Sequence, residues 1–229
     1  MANLTFNGQR LLFPGGGILD YTQPQGITGL AIWNGLTDSV QFASYPTITG
    51  SKGASLYMTI DPDMPEPPNG GPANAFLFGV GTGNELFGIG AYKSGSNFYL
   101  ATHVNTQVGG SKRTQDISSF VGEEIFIEVT KETLNTLSIS INGNSQTLSS
   151  YSDFQYSNNY KYIGPYIFTI SPPVDNILVR DIKLYDDPSG TNTLIHHWIG
   201  YPAGNTDAAW VDQAGSLDGT ITGSPGVTT

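Results

Sequence analysis

The stretch Gly122–Leu148, GEEIFIEVTKETLNTLSISINGNSQTL, constrains the fold more than any other part of the chain. In its first half Ile125, Ile127 and Val129 alternate with Glu124, Phe126 and Glu128. In its second half Leu137, Ile139 and Ile141 alternate with Ser138 and Ser140. A period of two with one apolar face is the pattern of an antiparallel strand packed on one side. Thr133–Asn135 can turn the chain once. Asn142-Gly143 turns it again, because a two-residue hairpin loop needs positive φ at both central positions and Asn-Gly adopts it at least cost. Three consecutive antiparallel strands follow, and with them an all-β fold class.

The rest of the chain carries the same signal. Ala54, Leu56, Met58 and Ile60 face one way, and Ser55, Tyr57 and Thr59 the other. Ala73–Gly81, Leu86–Lys93 and Asn97–Val104 are rich in Phe, Tyr, Ile and Val and are separated by Gly, Asn and Ser turns. Glycines 79, 81, 88 and 90 fall inside these strands, which predicts close backbone approach or bulges. Ile177–Asp186, ILVRDIKLYD, is a further strand whose apolar phase shifts between Val179 and Ile182. The shift predicts either a bulge near Arg180-Asp181 or burial on both faces. Thr193–Ile199 is the last good strand. Asp61–Pro72, DPDMPEPPNGGP, is a stiff exposed loop, since its prolines fix φ and remove donors.

A chain of 229 residues is long enough to bury the core of one sandwich domain, assigned to residues 27–229 with the strand at 193–199 and the tail included. Residues 1–26 break the alternation and read either as an edge strand with a loop or as an arm that docks on another subunit. A formal charge of −10 argues against nucleic acid and anionic membranes as partners. There is no long apolar run and so no membrane insertion, and the residues after Met1 lack the layout of a secretory signal. Zero cysteines exclude disulfides and thiolate metal sites, so folding in a reducing cytosol is expected.

EEIFIEVT…NTLSISINGN, then KYIGPYIF, then ILVRDIKLYDD together resemble the concanavalin A-like lectin/glucanase superfamily, in particular its laminin-G-like jelly rolls. The resemblance spans Ile27–Asp187 and implies a two-sheet antiparallel jelly-roll sandwich. LIHHWIGYPAGNTDAAWVDQAGSLDGTITGSPG is similar to the opening strand and loop of such domains, yet it stands at the end. The implied domain is circularly permuted, with Leu194, His196 and Trp198 paired beside a strand from Ile27–Phe42. Similar arrangements are a feature of tailed-phage virion proteins.

The same resemblance makes glycoside hydrolysis the first chemistry to test. It needs two carboxylates about 5 Å or 6.5–9.5 Å apart. Glu124 and Glu128 share a strand face but lie roughly 13 Å apart by strand rise, and Phe126 stands where the family has a central acid. They read as a solvated outer face, and the chain as a non-enzyme. His196 and His197 are adjacent on a strand and point to opposite faces, so both cannot bind one metal. No metal or other cofactor is expected. Asp186-Asp187 with Ser189 and Asn192, or Asp61 with Asp63, are the places that could offer calcium oxygens.

Tyr151–Phe168 is the most aromatic segment. Tyr162, Tyr166 and Phe168 share a face and are expected in the core. Tyr151, Phe154, Tyr156 and Tyr160, set among Ser, Asp and Asn, are the candidate contacts for a glycan or a protein partner, because aromatic rings stack on the apolar faces of sugars. The first functional expectation is a non-catalytic structural protein at a phage virion surface, a capsid decoration or tail-associated module, assembled in the host cytoplasm. Its partners would be capsid or tail proteins, cell-surface glycans and further copies of itself. The alternative is a carbohydrate-binding adhesin or receptor-binding domain, and the third a degenerate glycoside hydrolase.

Overall fold

The computed structural model describes residues 3–6, 9–12, 30–33, 39–44, 52–64, 66, 78–81, 87–106, 109–131, 137–146, 149–151, 160–163, 177–187, 191–199, 206, 208–222 and 226–228. Its strands, in chain order, are β1 (Asn3–Phe6), β2 (Gln9–Leu12), β3 (Leu30–Trp33), β4 (Ser39–Phe42), β5 (Lys52–Ile60), β6 (Phe78–Gly81), β7 (Phe87–Ser94), β8 (Asn97–Thr106), β9 (Gly109–Asp116) and β10 (Glu124–Lys131). They continue as β11 (Leu137–Ile141), β12 (Asn144–Ser145), β13 (Ser149–Tyr151), β14 (Tyr160–Ile163), β15 (Ile177–Asp186), β16 (Thr193–Trp198), β17 (Ala209–Trp210), β18 (Gly219–Thr222) and β19 (Gly226–Thr228).

One sheet runs β12-β11-β10-β5-β15-β3-β19, with β16 also paired to β15. The other runs β13-β9-β8-β7-β6-β14-β4-β18-β17. All pairings are antiparallel. Residues of both sheets meet in one hydrophobic core. From the first sheet come Leu56, Met58, Ile127, Ile139, Val179 and Leu184, and from the second Phe42, Ile89, Ala91 and Leu100. Phe42 on β4 stacks on Trp198 on β16 with ring centroids 4.5 Å apart, so the sheets interdigitate face to face. The fold is an all-β, two-sheet antiparallel jelly-roll sandwich.

The central hairpins form as their spacing predicts. Lys131 pairs Leu137 and Ile127 pairs Ile141, while Asn142 and Gly143 adopt φ of 51° and 79° to return the chain into β12. Ile125, Ile127, Val129, Ile139 and Ile141 are buried. The phase shift in β15 is resolved by both expected devices at once. Ile177, Leu178 and Val179 are all buried, and the register against β5 slips between Arg180 and Lys183. Gly79 and Gly88 face each other across β6 and β7, and β8 continues that ladder.

Two expectations are corrected. The 61–72 loop is exposed at Pro62, Asp63 and Glu66 but not throughout: Asp61 and Met64 are 1% and 2% accessible, because Met64 inserts into the core and its amide bonds back to the Asp61 carbonyl. β16 does not pair beside the Ile27–Phe42 region but along the second half of β15, with Trp198 opposite Ile182. The closure of the tail onto the first strands is instead made by β18 on β4 and β19 on β3. A Cβ on Gly219 would clash with Val40 Cγ1, so that closure requires glycine at the crossing.

Candidate functional site

The outward face of the first sheet gathers side chains from β10, β5, β15 and β16 in rows set by register. Phe126 pairs Tyr57, and Tyr57 pairs Arg180. One row along, Glu128 pairs Ser55, Ser55 pairs Lys183, and Lys183 pairs His197. Tyr57 and Phe126 are half-buried, with ring centroids 4.8 Å apart and planes tilted by 40°. The Asn-Gly turn fixes the second ring. Asn142 donates its amide to the Phe126 carbonyl at 2.8 Å, and its side-chain oxygen accepts from the Phe126 amide at 2.8 Å.

Arg180 reaches across β5 to Glu124. Its Nε and Nη2 donate to the two carboxylate oxygens at 2.7 and 2.6 Å, and its guanidinium lies 3.9 Å from the centre of the Tyr57 ring. Thr59 pairs Glu124 beneath this bridge and is only 2% exposed. Glu124 is therefore not the solvated side chain its strand position suggests, whereas Glu128 is exposed. Both oxygens of Glu124 are thus engaged by one guanidinium.

The bulge in β15 adds a second carboxylate to the same face. Arg180 opposes Tyr57 and Lys183 opposes Ser55, so Asp181 and Ile182 together span the single position of Leu56. Ile182 takes the inward place and is fully buried. Asp181 adopts φ of 52°, a left-handed backbone that Asp tolerates better than most residues. Its Oδ2 accepts from Lys183 Nζ at 3.0 Å, and its Oδ1 lies 2.5 Å from His197 Nε2. Burial works against the ionised carboxyl of Asp181, but the hydrogen bonds from His197 and Lys183 outweigh it and hold the group below the usual carboxylate range.

His196 points the other way, onto Asp212. Its Nδ1 lies 2.6 Å from Asp212 Oδ2, and its ring stacks with Trp198 at 5.4 Å. Asp212 also accepts from the amides of His197, Ala214, Gly215 and Leu217, at 2.9 to 3.1 Å. Burial again opposes the charge; the His197 amide, His196 and the loop amides lower its pKa nonetheless. Asp218 in turn accepts from the Asp212 amide at 2.9 Å. The WVDQAGSLDGT stretch is thus a loop built around one buried carboxylate. The adjacent histidines do point to opposite faces, each taken up by its own aspartate.

Of the aromatic residues singled out in the sequence, Tyr151 and Tyr160 are placed elsewhere. Tyr151 ends β13 at the edge of the second sheet, and Tyr160 opens β14, five strand positions away. Phe154 and Tyr156 lie outside the described residues, as do Tyr166, Phe168 and Ser189. In the β7–β8 hairpin Tyr92 and Tyr99 stack at 5.1 Å, but Tyr92 is only 7% exposed and has little ring face left to offer. Asp187 and Asn192 close a turn, the Asn192 amide donating to the Asp187 carbonyl at 2.8 Å. Asp61 Oδ1 accepts from the Asp63 amide at 2.6 Å. Among the described residues no three His, Asp or Glu side chains are grouped to hold a metal ion. The Tyr57–Phe126 face was not singled out in the sequence because its members come from residues 57, 126, 180 and 197; the outward phase of Tyr57 and Phe126 and the shift at Arg180-Asp181 were its local signals.

The fold and this face define a β-sandwich with an aromatic and polar outer surface. Its backbone is similar to the crystal structure of a Bacteroides ovatus protein described as a candidate carbohydrate-binding protein, with a TM-score of 0.60 at 15% identity. The match covers 91% of this chain and 61% of that one, so the present chain corresponds to part of the longer protein. No family model matches the sequence, and neither does any curated protein.

Proposed function

We propose that this protein is a non-catalytic carbohydrate-binding module whose glycan contact is the outer face around Tyr57 and Phe126. The observation that carries the reading is the juxtaposition of two half-buried rings with Arg180, Asp181, Lys183 and His197 on one sheet face. Aromatic rings with polar neighbours suit the two sides of a sugar, its C–H face and its hydroxyl rim. The jelly-roll class, and the likeness to a solved structure described as a candidate carbohydrate-binding protein, support the same reading. So does the sequence resemblance to concanavalin A-like lectins.

The test is a glycan array probed with the intact chain and with Phe126→Ala. Binding by the first and its loss in the second, with the fold kept, is the expected result. Equal binding by both would move the site elsewhere, and glycan hydrolysis would replace the non-catalytic reading.

A second reading concerns setting rather than ligand. Attachment to a tailed-phage virion, which the sequence resemblance implies, is favoured by one feature of the fold: among the described residues β1 and β2 pair with each other and join neither main sheet. Removing residues 1–26 should then leave a folded domain that no longer joins its virion partner. An insoluble truncation would mark the segment as part of the core.

A further inference from the structure

The described face does more than present rings: its described cations are already matched. Arg180 is committed to Glu124, and Lys183 to Asp181. Glu128, the remaining described charge in these rows, is exposed and acidic. The protein as a whole carries 19 acidic against 9 basic residues. An acidic sugar arriving here would meet a net negative field and no uncommitted cation among the described side chains of the face.

The bulge supplies what an uncharged sugar needs. Without the extra residue, strict alternation would turn position 181 toward the core. With it, Arg180, Asp181 and Lys183 all serve the outer face while Ile182 alone enters the core. Asp181 offers acceptor oxygens, and Lys183 carries three N–H donors, of which one is used. Their side chains are 20% and 28% exposed, so both are reachable. Neighbouring hydroxyls on a pyranose each donate and accept, and a carboxylate beside an ammonium answers both needs. Lys183 lies diagonally from Tyr57 across β5 and β15, roughly 7–8 Å away, within reach of one sugar unit stacked on the rings.

We propose that this face selects uncharged glycans whose units present adjacent hydroxyls to the Asp181–Lys183 pair, and that it rejects sialylated, sulfated and uronic acid chains. The proposal rests on the carbohydrate-binding reading above and names its ligand class. The strained φ of Asp181 accords with it, since a left-handed non-glycine residue in a bulge is tolerated where a side chain must be aimed.

The test is titration of the intact chain with neutral and with acidic oligosaccharides at low and high salt. Neutral glycans should bind, with an affinity changing less than about twofold with salt, as expected for contacts not driven by net charge. Asp181→Asn keeps a residue suited to left-handed backbone and should weaken binding about tenfold or more in a protein that still unfolds cooperatively, its melting temperature at pH 7 lowered by the loss of the charged contacts to His197 and Lys183. Lys183→Met keeps the hydrocarbon stem, removes the donors and should do the same. Preferential, salt-sensitive binding of acidic glycans would overturn the selectivity and leave carbohydrate binding intact. Unimpaired neutral-glycan binding by both variants would overturn the role of the pair. Absence of binding to every glycan would overturn the functional reading together with the proposal.

Discussion

Arg180 and Glu124, 56 residues apart, meet in two parallel hydrogen bonds of 2.6 and 2.7 Å across the central strand β5, with Thr59 sealed beneath them. Their side chains are 17% and 16% exposed, so the pair is shielded enough for geometry to matter. It fastens β10 and β15 over β5 and holds the guanidinium against the Tyr57 ring.

Arg180→Met should therefore destabilise the domain by roughly 2–3 kcal/mol in denaturant titration, because it strands a half-buried carboxylate. Adding Glu124→Leu should recover most of that loss. An additive double mutant would show that the two side chains do not act as a unit.

The tail should prove integral to the fold. Trp198 and Trp210 are buried, their indole N–H groups donating to the Leu217 and Ile199 carbonyls, and β18 and β19 complete both sheets. Emission from Trp198 and Trp210 should be blue-shifted and protected from quenchers. Deleting residues 194–229 should abolish cooperative unfolding. A truncated domain with an unchanged melting temperature would contradict this.

Acid should act through Asp181 and Asp212, whose folded pKa values are depressed below the unfolded value of about 3.9. Their stabilisation is present above that value and is lost as pH falls through the lower folded values. Asp212→Asn should lower the melting temperature at pH 7, and the gap from the native protein should narrow toward pH 3.

Asp61 has the opposite sign. Burial raises its pKa, the nearby Asp63 charge adding to the rise against the Asp63 amide bond, and its buried Oδ2 has no hydrogen-bond partner among the described residues. Its native carboxyl holds a proton to higher pH than the unfolded one, so stability is lost as pH rises through the folded value. Asp61→Asn should raise the melting temperature at pH 7 and give no gain near pH 3. A gain that persists in acid would point to packing rather than charge.

What was legible in the sequence was local. Alternation in Gly122–Leu148 located the hairpins because side-chain period and turn chemistry are both short-range, and the broken phase at Arg180-Asp181 located the bulge. Partners distant in sequence left no such trace. Nothing near Glu124 announces Arg180, and nothing near His196 announces that Asp212 will anchor a loop under it. Met64 shows the same limit, since a proline-rich surround reads as exposed until the core receives the one apolar side chain within it.

The central claim is that a glycan sits on the outer face of β10, β5 and β15. Amide and side-chain chemical shifts followed during titration with the glycan that binds best test it most directly. The account predicts perturbations confined to Tyr57, Phe126, Arg180, Asp181, Lys183, His197 and their neighbours. Shifts gathered instead on the second sheet, with this face silent at saturation, would contradict it.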